Sequence, residues 1–205
     1  MDASETELPG QRGPQGHEMR EKIVRAAEER FAHYGYDKTT IADIAGDLKI
    51  STAYVYKFFE SKLAINEAVA VDVLTRVGAS LHSAAQEGTA TERLRAVYRT
   101  LLEESLRMFF DDRKMHEMVV VAIENEWCSV ARHKERIVEV VRQVIRDGRA
   151  SGEFETASDE AQTVAAVFAT MVPFGNPHVL QQTIDRDLRR DADSVAELVI
   201  RGLRA

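Results

Sequence analysis

The sequence contains little cysteine and little proline, and it has no long apolar run. Cys128 is the only cysteine in 205 residues, which excludes a disulfide within the chain and fits a reducing, cytoplasmic location. Four prolines and few runs of β-branched residues favour helices over strands. No apolar run approaches the roughly 20 residues of a membrane-spanning helix, so we expect no membrane partner.

Patterns typical of catalytic and metal sites are also missing. The six histidines are scattered, without the spacing to a cysteine or carboxylate pair that zinc requires. There is no glycine-rich phosphate loop and no His-Glu-x-x-His pattern. Cys128 has no candidate base near it in the sequence. We therefore predict no metal site, no cofactor and no enzymatic activity.

The charge balance differs along the chain. The formal net charge of −7 argues against a protein that coats nucleic acid indiscriminately. Within 17–62, however, basic and acidic side chains are equal in number, so a local DNA-binding face remains compatible with the acidic total. Residues 1–16 are polar, acidic and rich in glycine and proline, which predicts a flexible tail rather than a signal peptide.

Helical spacing of apolar residues recurs through the rest of the chain and predicts an all-α fold of about nine helices. We predict a three-helix N-terminal domain at 17–66 and a larger helical domain at 67–205. In the first domain, an apolar stripe begins at Ile41 with i, i+3, i+4, i+7 spacing, and Ser51 is suited to cap the helix that follows. Val55 and Phe59 of that next helix are predicted to face the core.

Residues 39–62 read TTIADIAGDLKISTAYVYKFFESK and predict two short helices joined by a tight turn. The second helix presents hydroxyl groups, phenols and a cation on its outer side. These groups suit a helix that is pressed against DNA, because phosphate oxygens accept hydrogen bonds from all of them. The outer residues are Ser51, Thr52, Tyr54, Tyr56 and Lys57.

The segments TTIADIA and ISTAYVYKFFESK resemble the DNA-binding domain of the TetR family of bacterial transcriptional regulators, whose pattern is approximately TTxxxIA, a gap, and GVSxGTLYxxFxSK. The resemblance implies sequence-specific binding to double-stranded DNA. The residues that it and the outer-face pattern assign to the DNA are Thr40, Lys49, Ser51, Thr52, Ala53, Tyr54, Tyr56, Lys57 and Lys62. Thr52, Ala53 and Tyr54 are expected at base edges in the major groove, and the cations, Thr40 and Tyr56 at phosphates.

Three positions depart from the family pattern, and the mildest change is Ala53 in place of the small glycine of the recognition helix. Lys49 occupies the place of the turn glycine, and a lysine with positive φ costs about 1 kcal/mol, so we expect either a different turn or a compensating phosphate contact. Phe58 stands where a side chain able to donate a hydrogen bond is usual. A contact to the DNA backbone is therefore not expected from Phe58.

The resemblance implies that 85–205 binds an effector and dimerises, and that the fourth helix couples it to the DNA-binding domain. The sequence supports a homodimer independently, because the helices predicted at 158–172 and 192–204 carry apolar stripes with small residues. The predicted interface comprises Ala161, Val164, Ala165, Phe168, Val195, Leu198, Val199 and Gly202. The alternative is that both stripes pack inside one subunit.

An effector cavity is predicted from aromatic and methionine side chains with a few polar neighbours. The candidate lining residues are Tyr98, Phe109, Met115, Met118, Glu124, Trp127, Phe168 and Met171, with His116 and Asn125 as further polar groups. The alternative is that these residues are ordinary core.

The resulting hypothesis is a homodimeric repressor that a small hydrophobic effector of unknown identity releases from a near-palindromic operator. One alternative keeps DNA binding without a ligand, as a constitutive factor or an activator. Another is a helical interaction module without specific DNA binding.

Overall fold

The structure is a computed structural model that describes residues 14–204, and over this range it is all-α with ten helices and no β-sheet. The predicted fold class is confirmed. The helices are α1 (Pro14–Tyr34), α2 (Ile41–Asp47), α3 (Thr52–Val55), α4 (Lys62–Ala84), α5 (Ala90–Asp111), α6 (Arg113–Glu124), α7 (Cys128–Ser151), α8 (Glu160–Gly175), α9 (Pro177–Thr183) and α10 (Leu188–Leu203).

The start of α1 corrects part of the predicted tail. Residues 1–13 of that tail lie outside the described residues, whereas Pro14 to Gly16 already belong to the helix. Proline is well suited to this place, because the first residues of a helix have no carbonyl to bond and the fixed φ of proline matches the helix.

The chain divides into two compact units, one ending at Asp72 and the other beginning at Val73. The division falls inside α4, which therefore contributes its first half to the N-terminal unit and its second half to the C-terminal unit. The domain boundary predicted at 66–67 lies in the same helix.

The N-terminal unit is built on a core contributed by all four of its helical segments. Thr40 caps α2 through a capping box with Asp43, which satisfies backbone N–H groups at the start of the helix. The apolar positions of α2 and α3 are buried, and α2 packs against both α1 and α3. The buried side chains are Ile23, Ala27, Phe31, Ile41, Ile44, Ala45, Val55, Phe58, Phe59, Ile65 and Val69.

The C-terminal unit is organised around α5, which packs against α7, α8 and α10. Its start is defined by a capping box of Thr89 and Glu92. Its inner face buries Leu94, Val97, Tyr98, Leu101, Leu102 and Leu106. On the outside, ion pairs join α5 to α10, among them Arg99 with Asp193 at 2.7 Å.

Candidate functional site

The turn between α2 and α3 has a defined geometry despite its missing glycine. Lys49 adopts a left-handed conformation with φ of 55°. Its backbone N–H donates to the Gly46 carbonyl at 3.1 Å, and the N–H of Ile50 donates to the Ala45 carbonyl at 3.0 Å. This pair of bonds is the Schellman pattern that ends many helices. The turn therefore keeps the shape that a glycine would give it, at the cost of a lysine in the left-handed region.

The helix that follows, α3, is shorter than the predicted recognition helix. Ser51 caps it, its hydroxyl accepting from the N–H of Tyr54 at 3.1 Å. Regular α-helical structure stops after Val55, and the chain continues in tighter turns, with the N–H of Phe58 donating to the Val55 carbonyl at 2.9 Å. The tighter bonding turns Phe58 into the core together with Phe59, so Phe58 is unavailable to DNA.

The outer side of α3 and its continuing turn exposes the predicted DNA-binding residues together. Ser51, Thr52, Ala53, Tyr54, Tyr56 and Lys57 are all exposed. Tyr54 lies edge-on to the buried ring of Phe58, with centroids 5.3 Å apart, and the Lys57 ammonium lies 5.4 Å from the Tyr54 ring centroid. These contacts position the phenol of Tyr54 against the buried Phe58 ring and leave the Tyr54 side chain 36% exposed. Hydroxyls, phenols and a cation therefore share one surface.

Lys62 has a role inside the unit that the sequence did not reveal. Its ammonium donates to the carbonyl oxygens of Tyr36 at 2.9 Å and Thr39 at 3.1 Å, and it lies 4.0 Å from the Tyr36 ring centroid. These bonds tie the start of α4 to the segment between α1 and α2. Because an ammonium has three hydrogens, one remains for the predicted phosphate contact.

Thr40 is likewise engaged within the chain. Its hydroxyl donates to Asp43 at 2.7 Å and accepts from the Asp43 N–H at 3.1 Å, while the side chain stays exposed. Hydrogen bonds from the hydroxyl and the backbone N–H of Thr40 lower the pKa of Asp43. The capping box fixes the place of Thr40, and a phosphate contact from its hydroxyl would compete with the bond to Asp43.

The acidic residues of α2 are paired with one arginine of α1. Arg30 forms a two-pronged ion pair with Asp47, including a bond of 2.7 Å, and approaches Asp43 to 3.7 Å. The hydrogen bond from Arg30 lowers the pKa of Asp47. The pairing offsets negative charge that would otherwise repel phosphate near α3.

A cavity of about 240 Å³ lies in the C-terminal unit. Most of its wall is apolar and comes from α4 to α9. The apolar side chains are Leu74, Val77, Leu101, Met108, Val119, Ile123, Val130, Ile137, Phe168, Met171, Val172, Pro177 and Leu180. The polar lining residues are Glu104, Ser105, His116, His133, Lys134 and Asn176.

Only Phe168 and Met171 of the predicted effector residues line this cavity. The other apolar candidates pack elsewhere in the unit, because the apolar stripe of a helix faces neighbouring side chains as readily as an empty volume. Tyr98 is fully buried and bonds Thr170 Oγ1 at 2.5 Å. Met115, Met118 and Trp127 are buried in the unit, and Phe109 packs on the His116 ring with centroids 4.9 Å apart.

Glu124 is exposed at the end of α6 and lies 3.7 Å from His178, outside the cavity wall. Asn125 is also exposed, and its amide donates to the Val121 carbonyl at 2.8 Å. Among the polar groups suggested by the sequence, His116 alone reaches the cavity.

Burial favours the neutral form of two cavity histidines. Burial lowers the pKa of His133 to about 4, and its Nδ1 lies 3.1 Å from the Leu74 carbonyl oxygen. Burial also lowers the pKa of His116, whose side chain is 3% exposed. His133 and the contribution of α4 were missed by sequence reasoning, since a lone histidine in a helix carries no pattern that marks a cavity.

The predicted dimer residues separate into a surface set and a buried one. Val164 is 1% exposed and belongs to the core of its own unit, so its side chain is not available to a partner. Phe168, Val195 and Val199 are partly buried against that core. Ala161, Ala165, Leu198 and Gly202 are exposed on α8 and α10, and Leu198 is 64% exposed.

Among residues 14–204, no group of three or more metal-ligating side chains is close enough to hold an ion. In the same range, no single helix is long and apolar enough to cross a membrane. The helices α8 and α9 satisfy length and composition only as a pair, which is bent by 59°.

Family models match most of the chain. Residues 23–69 match the model described as bacterial regulatory proteins, tetR family. Residues 90–196, more than half of the chain, match the model described as tetracyclin repressor-like, C-terminal domain. No curated protein matches the sequence.

Solved structures share the fold at low sequence identity. A transcriptional regulator from Cytophaga hutchinsonii is 24% identical with a TM-score of 0.65, covering 90% of this chain and 98% of its own. A regulatory protein of the tetR family from Rhodococcus RHA1 is 20% identical with a TM-score of 0.57, covering 91% and 97%. The regulator FadR from Bacillus subtilis, in complex with stearoyl-CoA, is 18% identical with a TM-score of 0.62, covering 90% and 99%.

Proposed function

The chain belongs to the tetR family of bacterial regulatory proteins, and we propose that it is a homodimeric repressor which a small ligand releases from a near-palindromic operator. Members of this family are DNA-binding transcription regulators and not enzymes.

The proposal rests on the separation of buried apolar side chains from exposed polar ones along residues 51–59. Val55, Phe58 and Phe59 are buried, whereas the intervening and preceding polar residues are exposed as one surface. A segment with this division can lie in a major groove, where hydroxyls and phenols reach base edges and phosphates. Lys57 and Lys49 add exposed positive charge beside it.

The ligand is proposed to occupy the cavity of the C-terminal unit. Its apolar wall with a few polar groups is typical of small-molecule sites. Leu74 and Val77 of α4 line the cavity, and the first half of the same helix belongs to the DNA-binding unit. A ligand with different affinities for two positions of α4 would change the population that binds DNA.

In this proposal the two-fold symmetry of the dimer matches the symmetry of the near-palindromic operator. A two-fold related pair of DNA-binding units contacts half-sites one helical turn apart, roughly 34–36 Å along the DNA. A change in the spacing of the two units would lose contacts in both half-sites. The existence of a cavity supports ligand control over a ligand-independent factor, which would need no empty volume.

The DNA-binding surface is tested by binding titrations of Tyr54→Ala and Lys57→Ala with DNA from the region flanking the gene. Tyr54→Ala is expected to weaken specific binding about tenfold, since a groove contact is worth roughly 1–3 kcal/mol. Lys57→Ala is expected to weaken binding to all sequences and to reduce the slope of log affinity against log salt by about 1.

The matched control is Lys22→Ala, because Lys22 lies in α1 and is paired with Glu18 at 2.7 Å. Its affinity and salt slope are expected to equal those of the unchanged protein. Unchanged affinity in both Tyr54→Ala and Lys57→Ala would show that the DNA contacts another face.

A further inference from the structure

The cavity contains a buried polar atom that has no partner. His116 is 3% exposed, and its Nε2 atom forms no hydrogen bond with any protein group. A buried polar atom without a partner destabilises the protein, because it has lost its hydrogen bonds to water and gained none in return. Since His116 lines the cavity, a bound molecule can supply the missing partner and recover that energy.

The second cavity histidine has one ring nitrogen engaged and one remaining. The Nδ1 atom of His133 lies 3.1 Å from the Leu74 carbonyl oxygen, and a carbonyl oxygen only accepts. Nδ1 therefore carries the hydrogen. Because burial lowers the pKa of His133 to about 4, the ring is neutral near pH 7 and its Nε2 atom is an acceptor.

Burial favours the neutral ring of His116 as well. Burial lowers its pKa, and a hydrogen bond to Gln181, which favours the protonated ring, opposes that effect only in part. The unpartnered Nε2 atom accepts a hydrogen bond from a bound molecule when Nδ1 carries the hydrogen of the neutral ring.

The other polar lining groups do not reverse this preference for donors. The carboxylate of Glu104 adds an acceptor and a negative charge, partly offset by Arg107 at 2.7 Å. The oxygen of Asn176 is used by the N–H groups of His178 and Val179, and Ser105 donates to the Leu101 carbonyl. Lys134 is the one cation in the wall, and its side chain is exposed to solvent.

We propose that the ligand of this cavity is a compact apolar molecule with a hydroxyl group, such as a phenol or an alcohol, which donates to Nε2 of His116 or His133. The proposal rests on the proposed ligand control of DNA binding and specifies its chemistry. The cavity of about 240 Å³ lies below the range of roughly 300–1,000 Å³ that drug-sized ligands occupy, which favours a compact molecule.

The test compares probes that share a 4-propylphenyl skeleton and differ in the group opposite the propyl chain. Binding of 4-propylphenol, 4-propylanisole and 4-propylbenzoate to the full chain is measured by isothermal titration calorimetry without DNA. The phenol donates a hydrogen bond, the methyl ether cannot donate, and the benzoate is an anion. The phenol is expected to bind about tenfold or more tightly than the ether, since one buried acceptor is left unsatisfied by the ether. The benzoate is expected to bind more weakly than both.

Variants assign the effect to the histidines. His116→Phe and His133→Phe each remove one acceptor, and the ratio of phenol to ether affinity is expected to fall towards 1 in at least one of them. His116→Gln places an amide oxygen near the position of Nε2 and is expected to retain the preference. His82→Phe is the matched control, because His82 is exposed and outside the cavity wall, and its ratio is expected to be unchanged.

Equal affinities of phenol and ether, tightest binding of the benzoate, or no binding of any probe would overturn the proposal, as would an unchanged ratio in both phenylalanine variants. The proposed DNA-binding function is tested separately, by titration of the protein with operator DNA. A protein that binds the phenol but no specific DNA would refute the repressor and keep the ligand class.

Discussion

Lys49 ends α2 in a left-handed conformation that favours glycine. The surrounding backbone bonds from Lys49 to Gly46 and from Ile50 to Ala45 are intact, so the turn is formed at the expense of the lysine. A conformation of this kind costs a non-glycine residue roughly 1–2 kcal/mol. The exposed ammonium adds to the positive charge of Lys57, which follows α3, and this is a functional reason to keep a lysine there.

Lys49→Gly is expected to raise the free energy of unfolding by about 1 kcal/mol, because glycine adopts this φ without strain. If Lys49 binds a phosphate, the same change lowers DNA affinity and reduces the salt slope by about 1. Thermal unfolding at fixed protein concentration measures the first effect, and DNA titration over a range of salt measures the second.

Lys38→Gly is the control for this pair of measurements, since Lys38 is exposed and does not have a positive φ. It should give no stabilisation. A Lys49→Gly protein no more stable than the unchanged chain would contradict the assignment of strain to this position.

Individual helices begin where capping side chains predict but end where packing decides. The helices α2, α3 and α5 are capped at their starts by Thr40, Ser51 and Thr89. Each of these capping residues is recognisable in the sequence. The end of α3 after Val55 is set by the burial of Phe58, which a stripe of apolar residues does not reveal. In α7 the close approach of Gly148 to Phe154 is likewise a matter of packing.

Gly148→Ala is expected to destabilise the protein by about 1–3 kcal/mol through overpacking. A Cβ atom at this position would lie 2.2 Å from the Phe154 ring and 2.8 Å from the Cβ atom of Ala90. Phe154 is 1% exposed, so its ring has little room to move. Urea unfolding monitored by circular dichroism measures the change.

Gly46→Ala provides the comparison, because a Cβ at Gly46 in α2 would contact nothing within 4 Å. That variant is expected to be equally stable or slightly more stable, since alanine favours helix. A Gly148→Ala protein as stable as Gly46→Ala would mean that α7 and the segment around Phe154 separate easily.

At the scale of the whole molecule, the proposed function requires two copies of the chain. The exposed residues Ala161, Ala165, Leu198 and Gly202 on α8 and α10 offer a face with small side chains and one large apolar group. A Cβ at Gly202 would meet nothing within its own chain, which leaves space for close approach of a partner. Val164 belongs to the core of its own unit and contributes no side chain to this face.

Leu198→Glu is expected to convert the proposed dimer into monomers, because a carboxylate would be buried against its own symmetry copy. Light scattering coupled to size-exclusion chromatography measures the mass. Affinity for a near-palindromic operator is expected to fall in parallel, while binding to non-specific DNA changes less.

Phe110→Glu tests whether loss of any exposed apolar group has the same effect. Phe110 is 65% exposed on α5 and lies outside the predicted interface. Its variant is expected to keep the mass of the unchanged protein. A dimer that survives Leu198→Glu would place the interface elsewhere.

The sequence alone determined the helical class, the caps and the outward side chains of α3, because each of these depends on residues a few positions apart. The cavity depended on the tertiary structure, since its wall combines residues from α4 to α9 that are distant in the chain. Tyr98 and Phe168 have similar apolar patterns, yet the first is enclosed by protein and the second borders an empty volume. The internal bonds of Lys62 and the burial of Val164 were decided in the same way, by neighbours that only folding brings near.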